Sequence, residues 1–250
     1  MQFNTVFTGK NYIELDSVDS TNNYAANLIN TTKVPDGTVI MAHYQNSGRG
    51  QMGNEWLSNP GENLMCSIIY RTNLLAATES YVISKIASIA VRETIEEITG
   101  LPTYIKWPND IYIDKKKICG MLIENQWQSG QLTTIIGIGI NINQTHFDDN
   151  VRATSCTLET GKNFEVKLVL KNLVQNLEHY YNWIRAKKRL ELDTLYKEHL
   201  LFFQEMRSFN SKGEIFQGRI TEILNSGHLQ ITTSKNEIKQ FAFKEIEFIF

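Results

Sequence analysis

Polar residues Asp19, Ser20, Thr21 and Asn22 precede a helix-prone run from Tyr24 to Ile29, and short polar side chains in that position mark a helix start. Residues 38–44 and 64–70 are rich in β-branched and apolar side chains and read as strands. A glycine-rich stretch, 47–53, lies between them. The clearest helical pattern runs over 79–99, where Val82, Ile86, Ile89, Ala90 and Ile98 recur on or near one face and Gly100 supplies a stop. Strands are predicted next at 103–106, 111–113 and 118–125, with a turn over 114–117 joining the last two. A polar turn at Gln128, Ser129 and Gly130 leads into a strand over 131–143. Helices return at 166–186 and 190–203.

This alternation predicts an α+β fold, a mixed sheet with helices packed on it, rather than a bundle or a sandwich. The tail changes character. From Phe209 to Phe250 short strands are broken by turns at 210–213, 225–228 and 234–236, the pattern of a small β-barrel. The boundary falls near residue 204, dividing the chain into 1–204 and 205–250. Aromatic residues Tyr180, Tyr181 and Trp183 stand at helical spacing and read as core.

Composition narrows the classes. The chain has 250 residues, 42% of them hydrophobic and 21% charged, which is ordinary for a globular protein. A net charge of -2 argues against a surface built to hold a nucleic-acid backbone. No run approaches the ~18 apolar residues of a membrane span, and the N-terminal residues lack the pattern of a secretory signal. Cys66, Cys119 and Cys156 are too scattered for a CxxC pair, so free thiols in a reducing cytoplasm are expected. His43, His146, His179, His199 and His228 show no metal-ligand spacing, and no metal site is predicted from protein side chains. The GxxxxGKS/T, HExxH and GxSxG motifs are absent.

Several short segments carry candidate chemistry. Gly48-Arg49-Gly50-Gln51-Met52-Gly53-Asn54-Glu55-Trp56 holds three glycines within six residues, so its backbone can approach a ligand and present N–H groups to an anion. Arg49 adds a planar fork of donors suited to carboxylate or phosphate, and Trp56 can cover a ring or an aliphatic tail. Alone, the stretch reads equally well as a surface loop. Lys106-Trp107-Pro108-Asn109-Asp110 places a lysine at a strand end before a rigid turn, where its charge can meet a phosphate or a developing oxyanion. Lys117 begins KICGMLIE and follows two other lysines, as a solvated hairpin tip would; Gly120 within the strand hints at close backbone approach. Gly137 and Gly139 in GIGININ weaken an apolar strand unless something needs the space, and they lack the spacing of a dinucleotide fingerprint. Ser20 and Thr21 can cap a helix or offer hydroxyls at its N-terminus, and Gln45 can be a satisfied strand-end amide or a bidentate partner for a urea.

In this order the segments resemble the biotin–protein ligase family. The resemblance covers most of residues 15–145 and extends more weakly into the tail. It rests on Ser20-Thr21-Asn22, on Gln45 before GRGQMGNEW, on KWPND at 106–110, on KxxGxL at 117–122, and on GIGxNxN at 137–143. It implies a sheet with helices on one side, of the class II aminoacyl-tRNA synthetase and biotin ligase type, followed by an SH3-like barrel. Residues 1–204 would be the catalytic domain. The implied activity is ATP-dependent: biotin becomes biotinyl-5'-AMP, then passes to a lysine of a biotin carboxyl carrier protein. ATP and Mg²⁺ are the implied cofactors.

The resemblance also implies residue roles. Lys106 and Arg49 would be catalytic. Ser20, Thr21, Asn22, Gln45, Arg49, Gly50, Gln51, Lys106 and Gly120 would bind biotin. Arg49, Trp56, Lys106, Asn109, Lys117, Asn141 and Asn143 would surround the nucleotide. Gln51 departs from the family pattern GRGRxGRxW, which has an arginine there, so adenylate retention would lean on Arg49, Lys106 and loop ordering. Repressor members carry an N-terminal helix-turn-helix; only nineteen residues precede Ser20 and they read as strand, so no DNA-binding module is expected. A homodimer or a carrier docked on an exposed strand is left open. The alternatives are a lipoate–protein ligase, whose RRxSGGG-type motif is absent, and a non-catalytic sensor of biotin or adenylate.

Overall fold

The computed structural model describes residues 1–128, 130–148 and 151–250; Ser129 of the expected turn lies outside the described residues. Seven strands form the main sheet: β1 (Tyr12–Leu15), β2 (Thr38–Ala42), β3 (Leu64–Thr72), β4 (Tyr104–Lys106), β5 (Asp110–Ile113), β6 (Lys116–Gln128) and β7 (Gln131–Ile140). Their order is β1-β2-β3-β7-β6-β5-β4, with β1 parallel to β2 and the other neighbours antiparallel.

Strand alternation explains the two faces. Cys66, Ile68 and Tyr70 of β3 and Ile136, Ile138 and Ile140 of β7 enter one large core. That core is closed by α2 (Tyr81–Thr99) and α4 (Val166–Arg185), whose apolar stripes pack on each other and on the sheet. Ile69 and Ile135 point the other way, into a smaller cluster under α1 (Thr21–Thr31). Helices therefore cover both faces, not one, and α1 covers its face only in part. Gly100 ends α2 in the left-handed region, at φ 71°.

Two local differences from the sequence pattern have physical causes. A short helix, α3 (Cys156–Thr160), starts where Ser155 Oγ accepts the Leu158 N–H at 3.1 Å. The helix expected over 190–203 stops early, as α5 (Arg189–Glu198), because the chain then pairs with the sheet edge. The Ile105 N–H donates to His199 O and the Leu201 N–H to Ile105 O, both at 2.8 Å. Before β1 the chain runs in turns rather than strand, held by Glu178, whose carboxylate accepts the backbone N–H groups of Val6, Phe7 and Thr8. Burial alone would raise the Glu178 carboxyl; the three N–H donors hold it below its ordinary value. All three cysteines are buried free thiols, and among the described residues no helix is long and apolar enough to cross a membrane.

The tail forms a second, antiparallel sheet from β8 (Arg207–Ser211), β9 (Glu214–Ile223), β10 (Leu229–Thr233), β11 (Ile238–Phe241) and β12 (Glu247–Phe248), in the order β11-β10-β9-β8-β12. It shares the main core. Trp107 Nε1 donates to Gly227 O at 2.9 Å, and Phe243 packs against both Trp107 and Tyr81. Removing 209–250 would expose this seam. Each large side chain loses about 1.5–3 kcal/mol of burial, against a whole-domain stability of about 5–15 kcal/mol. The truncated chain is expected to lose cooperative unfolding; a soluble fragment with a sharp calorimetric transition would show that the sheets fold independently.

Candidate active site

A cleft of about 350 Å³ opens on the sheet face that α1 leaves uncovered. That is within the range of small-molecule sites. Its floor is made of glycines. Gly120 and Gly139 are register partners on β6 and β7, and Gly137 follows one pleat along. A Cβ at Gly139 would stand 2.5 Å from the Trp56 ring, and one at Gly137 would stand 2.3 Å from Asn22 Oδ1. The space that the two glycines leave is thus filled by Trp56 and Asn22. Trp56 Nε1 is buried there without a hydrogen-bond partner, a donor available to a ligand.

One end of the cleft is a polar network at the start of α1. Gln45 Oε1 accepts from the Thr21 N–H at 2.7 Å and from Thr21 Oγ1 at 3.0 Å. Ser67 Oγ lies 2.8 Å from Thr21 Oγ1 and 2.6 Å from Asn22 Oδ1. Asn22 Nδ2 donates to Leu122 O and to Glu124 Oε2. Ser20, the helix N-cap, makes no side-chain cap bond and lines the cleft instead. Glu124 Oε1 holds Arg49 at 2.8 Å, and Asn23 Oδ1 takes a second guanidinium proton at 2.6 Å. Arg49 thus stands at the rim with further donors in hand.

The loop carrying Arg49 closes on itself. The Trp56 N–H donates to Gly48 O at 2.9 Å and the Gly50 N–H to Asn54 O at 2.7 Å. The expected anion contact at the Gly50 backbone is therefore not open in this conformation, because its proton is already placed. Gly53 sits at φ 83°, where a side chain would be strained. Gln51 follows in a single 3₁₀ turn and lines the cleft.

The other end is cationic. Lys117 is not a solvated tip: it lies in ion-pair contact with Asp110 at 2.7 Å and 5.9 Å from the Trp56 ring centre. Lys116 is the exposed neighbour, paired with Glu159. Lys106, at the end of β4, lies between the rings of Tyr112 and Phe248. Burial lowers its pKa below the ordinary lysine value, Asp110 opposing and Lys117 reinforcing the shift. Asn109, in the turn before β5, ties that turn to β6 by donating to Met121 O, and also lines the cleft.

Two expected residues stand elsewhere. Asn141 is buried and donates to Thr154 O at 2.9 Å. Asn143 donates to Phe164 O and accepts the Phe164 N–H. Neither lines the cleft. Their amides fix the loops after β7, a role that short polar side chains also fill in any packed turn. Conversely, the sequence offered no sign of Ser67, nor of the wall that Lys244, Ile246, Glu247, Phe248 and Phe250 contribute from the second sheet. The short strands of the tail were visible, but not where the last of them docks.

Residues 14–143 match the profile of the biotin/lipoate A/B protein ligase family. The bifunctional ligase/repressor BirA of Bacillus subtilis is 31% identical over 249 residues, covering 97% of this chain and 75% of that protein. A biotin–[acetyl-CoA-carboxylase] ligase of Mycobacterium tuberculosis is 28% identical over 193 residues, covering 74% of this chain and 71% of that one. Among solved structures, a biotin protein ligase of Aquifex aeolicus in complex with biotin and ATP aligns with a TM-score of 0.78 at 28% identity, covering 95% of this chain and 98% of its own.

Proposed function

Since the chain belongs to the biotin/lipoate A/B protein ligase family, we propose that it is a biotin–protein ligase that forms biotinyl-5'-AMP and passes biotin to a lysine of a carboxyl carrier protein. The observation that carries this reading is one cleft with a polar network at one end and a cationic end at the other. Thr21 and Gln45, with Ser20 and Asn22, would take the ureido ring. Trp56, lying over Gly139 and near Gly120, would take the folded bicycle and its chain. Arg49, Lys106 and Lys117 would face the carboxylate and phosphates, with Gln51, Trp56 and Asn109 around the nucleotide. We take residues 1–204 as the catalytic unit and 205–250 as a small SH3-like unit that supplies one wall.

The chemistry joins two anions. A biotin carboxylate oxygen attacks the α-phosphorus of ATP, the bond to pyrophosphate breaks, and a mixed anhydride forms. Lys106 and Arg49 lower the repulsion and stabilise charge on the phosphoryl oxygens. The carrier amine then attacks the anhydride carbonyl, loses a proton, and AMP leaves. Among the described residues no cluster of three acids or histidines could hold a metal alone. Mg²⁺ would enter as the counter-ion of ATP, held largely by phosphate oxygens and water, near Glu55, Asp110 and Glu247, the acids on the cleft wall. It would neutralise phosphate charge. A net charge of -2 supports a reading without DNA binding, and three buried free thiols fit a cytoplasmic location. Biotin-dependent exchange of pyrophosphate into ATP tests the reading; exchange driven by lipoate instead, or by neither acid, would refute it.

Gln51 bears on retention of the intermediate. An amide offers a neutral hydrogen bond of about 1 kcal/mol net, whereas a bond to a charged group contributes ~1.5–3 kcal/mol. Gln51→Arg is expected to slow release of preformed adenylate several-fold to about tenfold, read by stopped-flow. Unchanged release would mean that side chain 51 does not reach the phosphate.

A further inference from the structure

Lys106 is a largely buried cation without an acid. Among the described residues it has neither an ion-pair nor a hydrogen-bond partner for Nζ, and Asp110, whose charge acts on it from a distance, is paired with Lys117. What surrounds the ammonium is aromatic. Its nitrogen lies 5.5 Å from the centre of the Tyr112 ring and 5.2 Å from that of Phe248. The faces of such rings are negative and attract a cation, more strongly where water is excluded.

Both rings are packed on further aromatic rings. Tyr112 stacks on Phe250 with centres 5.8 Å apart and planes within 6°. Phe248 sits edge-on to Phe209 at 5.4 Å, and β12 pairs with β8 at those same two residues. Tyr112 comes from the main sheet and Phe248 from the second, so the lysine is clasped across the seam between them.

An aromatic clamp does something here that a carboxylate cannot. A carboxylate would neutralise the lysine and compete for it with the incoming anions. A ring holds the ammonium in place without bringing net charge. Lys117, with its acid partner, is the contrast within the same cleft.

We propose that Phe248 is a positioning residue for Lys106: with Tyr112 it holds the ammonium charged, oriented and unneutralised, and through it the second sheet completes the adenylating site. The inference rests on the ligase reading for its catalytic half; the clamp itself needs no substrate.

The test is stepwise fluorination of Phe248 in the full chain, replacing it with mono-, di- and trifluorophenylalanine. This drains the ring face of negative charge while leaving its shape nearly constant. Titration of the Lys106 side chain is followed by NMR of ¹³Cε-labelled lysine, assigned with Lys106→Arg. Exchange of pyrophosphate is measured in parallel. The Lys106 pKa is expected to fall at each step. The turnover number for exchange should fall with it, by roughly 3- to 30-fold in total, with the KM for biotin little changed. Phe248→Leu should behave like the trifluoro ring, and Phe248→Tyr like the parent. A titration that ignores fluorination overturns the clamp. A titration that responds while turnover does not overturns the positioning role. A parent chain without biotin-dependent exchange refutes the ligase reading and the catalytic half with it, whereas the titration still decides the clamp.

Discussion

Replacing Lys106 with alanine is expected to slow biotin-dependent pyrophosphate exchange by on the order of 10²–10³, the usual cost of losing a fixed charge contact to a transition state. The lysine ends β4 at a rigid turn and lies between two rings, so its position is set before substrate arrives. Biotin binding should weaken much less than turnover, because charge accumulates on the phosphoryl oxygens mainly as the bond to pyrophosphate breaks. Stability should not suffer. Burial holds Lys106 below its ordinary pKa, so the protonated side chain costs the folded state something at neutral pH. That cost is present below the folded-state value and relieved as pH rises through it towards the unfolded value. The alanine variant relieves that cost but loses the packing of the side-chain stem and its ring contacts, so its melting temperature near neutrality should stay close to the parent's. The same shift predicts a pH profile: exchange should fall on the alkaline side at a pH below that of an ordinary lysine, and Lys106→Arg should lose that limb. Exchange at the parent's rate in the alanine variant would remove Lys106 from the chemistry.

How much of this was legible before the structure depends on the range of the contact. Lys106, Arg49, Gln45 and Thr21 sit in short segments whose chemistry is local, and the structure brings all four to one cleft. The glycines of β7 were legible as a strand that must leave room. What fills the room was not, because Asn22 and Trp56 arrive from α1 and the Arg49 loop. Ser67 was invisible: a serine in an apolar strand has no distinguishing neighbours, and its partners lie 45 and 46 residues away. Phe248 was invisible for the same reason at longer range. Asn141 and Asn143 show the opposite case, segment neighbours that the fold places outside the cleft lining. They share a segment with the cleft glycines, but the strand ends at Ile140 and their amides turn to fix the following loops. The helical period past Glu198 failed because pairing with Ile105 satisfied the backbone better than another helical turn.

The glycine floor carries the second large effect. Gly137 is in extended β-strand, outside the left-handed region, so glycine is required there by space alone. Its missing Cβ would stand 2.3 Å from Asn22 Oδ1 and 2.8 Å from Asn22 Cγ. An exposed side chain would swing away cheaply. Asn22 cannot: it is buried, its Nδ2 donates to Leu122 O and Glu124 Oε2, and its Oδ1 lies against Ser67. Gly137→Ala must break two or three of these bonds, each about 1 kcal/mol net, or push the start of α1 and the Thr21–Gln45 pair outward. Either way the ureido end of the cleft is deformed, and biotin affinity is expected to fall by about 10- to 100-fold. Global stability should fall as well, since the reduced freedom of the unfolded chain returns only ~0.4–1 kcal/mol and offsets only part of the loss. Asn22→Ala separates the two routes. If the clash acts through the Asn22 amide, adding Gly137→Ala to Asn22→Ala costs nothing further, a non-additivity that calorimetric titration with biotin can resolve. If the helix itself moves, the two losses add. Unaltered biotin affinity in Gly137→Ala alone would mean that biotin does not depend on the Asn22 end of the cleft, and would shift the site towards the cationic end.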